Sequence, residues 1–258
     1  MAKKPGLYTV FNAVARVQES PGDTRHVSRR ESQILFGETF IVRDIKDGWA
    51  HGETFHDAYP GYVRMSDLRK GPAPQHVITT LMSHAYPEPS MKTKPRLTLS
   101  FMSQIALKDG KEENGFVQVY DRKNLWIPKN HLRPINDTHK DSIDIVDTAI
   151  MFLGVPYGYS GRSAWGIDCS GLVQIAQQRF GIPCPRDSDQ QEKFIGNPVP
   201  AYDMRRGDFV FFPGHVGIMT DEKHILNANQ RHMRVVIENL DDLIPVYGPP
   251  TSVRRLHL

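Results

Sequence analysis

Cysteine is nearly missing from this chain: two in 258 residues, Cys169 and Cys184, too few for a disulfide framework. No run of about 18 apolar residues occurs, so no membrane span is predicted. Nor does an apolar run of signal-peptide length follow Lys3 and Lys4, so the expected location is the cytoplasm, or the periplasm or exterior if a leader has been removed. Basic residues come only in pairs such as Arg29-Arg30 and Arg205-Arg206, and a net charge of +3 gives no case for nucleic acid. Cys-x-x-Cys and His-x-x-x-His spacings are both absent, so Cys169, Cys184 and His215 make a poor metal set, and neither metal nor cofactor is expected. With 39% hydrophobic and 24% charged residues, what remains is an ordinary globular chain, long enough for two or three small domains.

The first half is strand-rich and carries a weak repeat. Asp47-Gly48-Trp49 leads to Gly61-Tyr62-Val63-Arg64 and Leu68-Arg69; Asn114-Gly115-Phe116 leads to Leu125-Trp126-Ile127-Pro128 and Leu132-Arg133. In each copy a turn glycine precedes an aromatic strand, a second aromatic strand follows, and the copy closes on Leu-Arg. Short strands between turns predict small barrels, with Gly71-Pro72-Ala73-Pro74 as a linker between them and a second linker from Pro134 to Thr138. From Asp141 the texture changes. Ile143, Val146, Ile150 and Leu153 follow helical spacing up to Gly154, and Leu172, Val173, Ile175, Ala176 and Phe180 mark a second helix ending at Gly181. After Arg206-Gly207-Asp208 come four strand-like runs, 209–212, 215–220, 224–229 and 233–240. Helices followed by antiparallel strands predict an α+β domain.

Two strings carry chemistry. In Asp168-Cys169-Ser170-Gly171-Leu172, Asp168 is an N-cap and Cys169 falls in the first helical turn. There the free N–H groups and the helix dipole favour a thiolate, lowering the thiol pKa, and could hold an oxyanion. Most helical cysteines are buried apolar residues, so a partner is needed. His215 supplies one: it opens a strand after the rigid Pro213-Gly214 turn, where an imidazole can serve a thiol as base. If Asp221, Glu222 and Lys223 form a three-residue hairpin loop, paired residue numbers sum to 444, which puts His215 opposite Asn229 and diagonal to Asn227 on one face. Either asparagine could fix the imidazole tautomer in a Cys-His-Asn arrangement, and register does not choose between them.

These residues resemble the NlpC/P60 family of papain-like cysteine peptidases. The resemblance rests on Pro156-Tyr157-Gly158-Tyr159 before Asp168-Cys169-Ser170-Gly171-Leu172, on Pro185-Arg186-Asp187-Ser188 followed by Gln190, and on Arg206-Gly207-Asp208 leading to His215-Val216-Gly217-Ile218, over residues 142–258. It implies a papain-like catalytic domain over 138–258, helices packed on an antiparallel sheet, behind two SH3-like β-barrels at 1–71 and 72–137. It also implies hydrolysis of the bond between D-γ-glutamate and a diamino acid in murein peptides, Cys169 matching the nucleophile and His215 the base. The family's third polar residue, often His, falls at Asn227. Tyr157 matches a tyrosine beside the cysteine. Asp168, Ser170, Arg186, Asp187 and Ser188 match the segments that shape the substrate pocket, although Asp187 or Ser188 could equally be a helix N-cap. Tyr159-Ser160-Gly161 stands where the family usually has Trp-Gly-Gly.

Members with paired SH3-like domains often act on short peptides with a free N-terminal L-alanine, the first barrel closing one end of the cleft; Glu53, Asp57 and Tyr59 are the gating candidates here. Two rivals share the Cys-His pair: an acyltransferase of the same fold, and an inactive wall-binding protein.

Overall fold

The computed structural model describes residues 4–22, 30–120, 124–137 and 144–256. The expected linker end at Thr138, the helix position Ile143 and Arg29 lie outside them. The chain divides into two compact units, 1–137 and 138–258.

In the first unit, a five-stranded antiparallel sheet runs in the order Pro60–Arg64, Trp49–Thr54, Thr39–Lys46, Gly6–Val10, Leu68–Arg69, beside the hairpin Val14–Val17/Ser32–Leu35. Its core gathers Tyr8, Val10, Val17, Ile34, Phe40 and Val63. The later strands repeat this plan. Leu68–Arg69 closes onto Gly6–Val10, and Leu132–Pro134 closes likewise onto His76–Ile78. The repeat's two turns are the same device: Asp47-Gly48 joins Lys46 to Trp49 and Asn114-Gly115 joins Glu113 to Phe116, all four turn residues at positive φ. That is the two-residue hairpin turn whose twist suits paired strands, and it explains Asp-Gly and Asn-Gly at these places. The second core holds Ile78, Leu99, Ile105, Val119, Leu125 and Ile127, and also Phe36, which comes from the earlier strands. Phe36 is fixed there by Gln104 N–H on its carbonyl at 2.8 Å. Beside it Gly37 lies so close to Gln104 that a Cβ would sit 1.7 Å from the Gln104 carbonyl oxygen.

The second unit is α+β. Its six-stranded antiparallel sheet runs Asn197–Pro198, Ser252–Arg255, Phe209–Phe212, His215–Met219, His224–Asn229, Arg234–Asn239. Helix α1 (Ile145–Ile150) starts from an Asp144/Asp147 capping box, and α2 (Cys169–Gln178) packs against the two interior strands that carry His215 and Asn227. The α1 periodicity needs correction. Capped at Asp144, the helix buries Ile145, Val146, Thr148 and Ala149, while Leu153 lies beyond its end and is exposed. Helix α2 is buried on all sides, Gln174 and Gln177 included, and stops at Gly181 with φ +68°.

Candidate active site

The turn after His215–Met219 fixes the register of the site. Met219 pairs with Ile225 and Ile218 with Leu226, so paired numbers sum to 444 as the three-residue loop requires. His215, Gly217, Ile225, Asn227 and Asn229 therefore share one face. His215 Nε2 lies 3.1 Å from Asn227 Oδ1, so the diagonal partner makes the contact. Asn229 instead donates Nδ2–H to the same Asn227 oxygen at 2.7 Å. Gly217, opposite Asn227, leaves the room: a Cβ there would meet Ile225 Cδ1 at 2.6 Å and Asn227 Cβ at 3.1 Å. Tyr247, from the short α4 (Ile244–Tyr247), stacks on the imidazole with ring centroids 4.2 Å apart and planes 6° from parallel.

Cys169 is the first residue of α2. Asp168 has extended backbone and accepts Gly171 N–H at 2.7 Å, the expected N-cap bond. The helix start is pressed against the preceding loop. An added Cβ at Gly171 would sit 2.2 Å from Gly161 O, and one at Gly161 2.3 Å from Gly166 O. Between them the departure Tyr159-Ser160-Gly161 has a local cost: Ser160 is held at φ +61°, a conformation glycine adopts freely and serine does not. The Cys169 sulfur receives the backbone N–H groups of Val216, next to His215, and of Ser170. The thiol pKa nevertheless departs from the sequence expectation. Burial, reinforced by the Asp168 charge, pushes it up to about 12, outweighing those N–H groups and Arg186. Burial likewise pulls His215 down to about 4, against the raising effects of Asn227, Glu238 and Asp168. Desolvation thus favours a neutral thiol beside a neutral imidazole, and the helix dipole does not reverse it.

This state has a measurable linkage. His215 binds its proton near pH 6.5 when unfolded and near pH 4 when folded, so between those values the unfolded chain holds more protons. Stability from the buried neutral imidazole is complete above pH 6.5 and falls as pH drops toward 4, by about 3 kcal/mol in all. Urea midpoints from pH 7 to pH 4 should therefore fall further for the wild type than for His215→Gln. Parallel falls would remove His215 as the cause.

The remaining sequence candidates fall into two groups. Tyr157 stays with the cysteine: its hydroxyl, hydrogen-bonded by the Gln230 side chain, is raised in pKa by burial, then by the nearby Cys169 and Asp168. Arg186 and Ser170 are both buried. The Arg186 side chain is 2% exposed and reaches Asp168 Oδ2 at 2.7 Å, Ser170 Oγ at 2.8 Å and Gly161 O at 3.3 Å. A guanidinium so enclosed ties the Asp168 carboxylate, the Ser170 hydroxyl and the Gly161 carbonyl together at the start of α2. Asp187 occupies the N-cap position of α3 (Ser188–Phe194), which Ser188 opens, but the Asp187 carboxylate makes no capping bond. Two neighbours of His215 were missed from sequence: Tyr247, and Glu238, which receives Nδ2–H from Asn227 at 3.0 Å and from Asn229 at 2.5 Å. Among the described residues no three His, Cys, Asp or Glu side chains are grouped to hold a metal, and no helix is long and apolar enough to cross a membrane.

Comparison with known proteins decides the family. Residues 154–245 match the NlpC/P60 family model, and residues 23–68 match that of the bacterial dipeptidyl-peptidase Sh3 domain. The probable endopeptidase NlpC of Escherichia coli is 31% identical over 121 residues, 42% of this chain and 78% of that protein. The chain belongs to the NlpC/P60 family. A γ-D-glutamyl-L-lysine dipeptidyl-peptidase of Bacillus subtilis is 27% identical over 232 residues, covering 83% of this chain and 77% of its own. The crystal structure of an NlpC/P60 family protein from Bacillus cereus ATCC 10987 superposes with a TM-score of 0.82 at 22% identity, over 97% of this chain and 99% of that one. This NlpC/P60 chain accordingly combines the papain-like fold with an SH3-like domain.

Proposed function

We propose that this protein is a cysteine endopeptidase that hydrolyses the bond between D-γ-glutamate and a diamino acid in murein peptides, preferring short fragments with a free N-terminal L-alanine. The observation that carries the chemistry is the His215–Asn227 hydrogen bond on a strand whose next residue, Val216, directs its N–H at the Cys169 sulfur. The names of the Bacillus relatives support the substrate class. Two SH3-like barrels, at 1–71 and 72–137, and recycling of wall fragments in the cytoplasm belong to the same proposal; the repeated Gly-turn plan of the first unit supports the pair of barrels.

In the proposed reaction the His215 imidazole takes the Cys169 proton as the sulfur attacks the γ-glutamyl carbonyl, because burial disfavours a standing thiolate. N–H groups at the start of α2 stabilise the oxyanion, and the imidazolium then protonates the departing amine. Water attacks the thioester with His215 as base, releasing the dipeptide and restoring the thiol. Asn227 holds the imidazole throughout.

Mass spectrometry of products from L-Ala-γ-D-Glu-diamino-acid peptides, with free and acetylated N-termini, tests this reading. Cleavage of the free-amine peptides alone is the expected result. Equal cleavage of both would replace the free-amine preference with an open cleft. No cleavage of either, with acyl transfer to an added amine or binding alone, would overturn the hydrolase reading.

A further inference from the structure

Glu238 stands one side chain away from the proposed base and is bonded in a way that leaves little freedom. It lies on the edge strand Arg234–Asn239, paired with Ile225 and hence on the same sheet face as Asn227. Its side chain is 8% exposed. Oε1 takes Nδ2–H from both Asn227 and Asn229, at 3.0 and 2.5 Å. Oε2 faces the Arg231 guanidinium at 3.3 Å and His232 Nε2 at 3.2 Å. Asn229 is held on its other side too, its Oδ1 accepting His232 N–H at 2.8 Å.

A carboxylate can only accept hydrogen bonds. Glu238 therefore compels Asn227 to turn its NH2 toward Oε1, which leaves Asn227 Oδ1 for His215. That oxygen already accepts from Asn229 and presents only lone pairs to the imidazole. His215 Nε2 must then carry the hydrogen, and in a neutral imidazole Nδ1 is left bare. We propose that Glu238 is a positioning residue that acts through Asn227 to hold His215 as the Nε2–H tautomer, with Nδ1 kept as the basic nitrogen for the Cys169 thiol. A glutamine in place of Glu238 could offer Asn227 either its oxygen or its NH2, and the direction of the chain of donors would no longer be fixed. This inference rests on the reading of Cys169 and His215 as nucleophile and base.

The test uses the full-length protein, the isosteric Glu238→Gln and the double variant Glu238→Gln/Asn227→Asp. In the double variant the new carboxylate in place of Asn227 can only accept, so the new carboxamide in place of Glu238 donates to it, and His215 must again donate from Nε2. Expected for Glu238→Gln is a fall in kcat of about tenfold to a hundredfold with KM changed less than about twofold, since a wrong tautomer harms the chemical step more than binding. The added Asn227→Asp should bring kcat back to within about threefold of wild type, a recovery that a merely structural role for Glu238 would not give. Imidazole ¹⁵N NMR of the ligand-free protein, with His215 assigned by its loss in His215→Gln, reads the tautomer without any substrate. Wild type should show protonated Nε2 and bare Nδ1, and Glu238→Gln a mixture. Protonated Nδ1 in the wild type, an unchanged tautomer and kcat in Glu238→Gln, or no recovery in the double variant would each overturn the proposal. The NMR result stands apart from the functional reading: a wild type that cleaves no murein peptide yet shows the expected tautomers would sink the hydrolase and keep the relay.

Discussion

Cys169→Ala is expected to lower kcat on a murein tripeptide by about 10⁴-fold or more, while the peptide's Kd changes by less than about threefold. The thiol is the atom that bonds to carbon in the proposed reaction, and no neighbouring side chain replaces it. Tyr157 is held neutral by burial, and Tyr247 is occupied with the face of His215. The substitution deletes a single atom at the start of a helix whose cap is Asp168, so the fold should survive. Cys184 provides the control. It is buried outside α2, its carbonyl accepting Gln174 Nε2–H at 3.0 Å, and Cys184→Ser should keep wild-type kcat. Single-turnover kinetics with mass detection of the thioester would check both. Retained turnover in Cys169→Ala would remove the nucleophile, and lost turnover in Cys184→Ser would name the wrong thiol.

Arg186→Leu is the second large effect, and it falls on stability. Arg186 and Asp168 form an ion pair with side chains 2% and 10% exposed at 2.7 Å. Removing the cation alone strands a buried carboxylate, which costs about 3 kcal/mol or more, whereas replacing both partners costs much less. Urea denaturation should therefore show Arg186→Leu less stable than the double variant Arg186→Leu/Asp168→Asn, even though the double variant carries one more change. Arg186→Lys should recover only part of the loss, because a single ammonium cannot span Asp168, Ser170 and Gly161 as the guanidinium does. A loss under about 1 kcal/mol in Arg186→Leu would mean that water reaches Asp168 as soon as the guanidinium is gone.

The sequence made some of this site legible and hid the rest for physical reasons. A three-residue turn determines its hairpin arithmetic, so Asp221 to Lys223 placed His215 and Asn227 on one face. Local rules also identified the Asp168 cap and the Gly181 stop. Burial was not local. Nothing in the string Asp168-Cys169-Ser170 announces that desolvation overrides the helix dipole, and that hidden contribution reversed the expected direction of the thiol pKa. Glu238 was hidden behind a second hairpin, in which Asn227 pairs with Val236 and Met233 takes positive φ, a turn without the usual glycine signal. Tyr247 reaches His215 from α4, after the chain has left the Arg234–Asn239 strand, and no sequence interval specifies such a return. Helix α1 takes its start from the Asp144/Asp147 capping box and ends at Ile150, short of Leu153, so its bounds do not follow the apolar spacing.

The position of Phe36 bears on whether the first unit can be divided. Its ring belongs to a core built chiefly from residues 78–127, and Gly37 beside it permits a backbone approach that no other residue could accept without moving Gln104. A gene break near residue 71 would thus leave one product with an apolar side chain stripped of its surroundings and the other with a hole where that side chain had been.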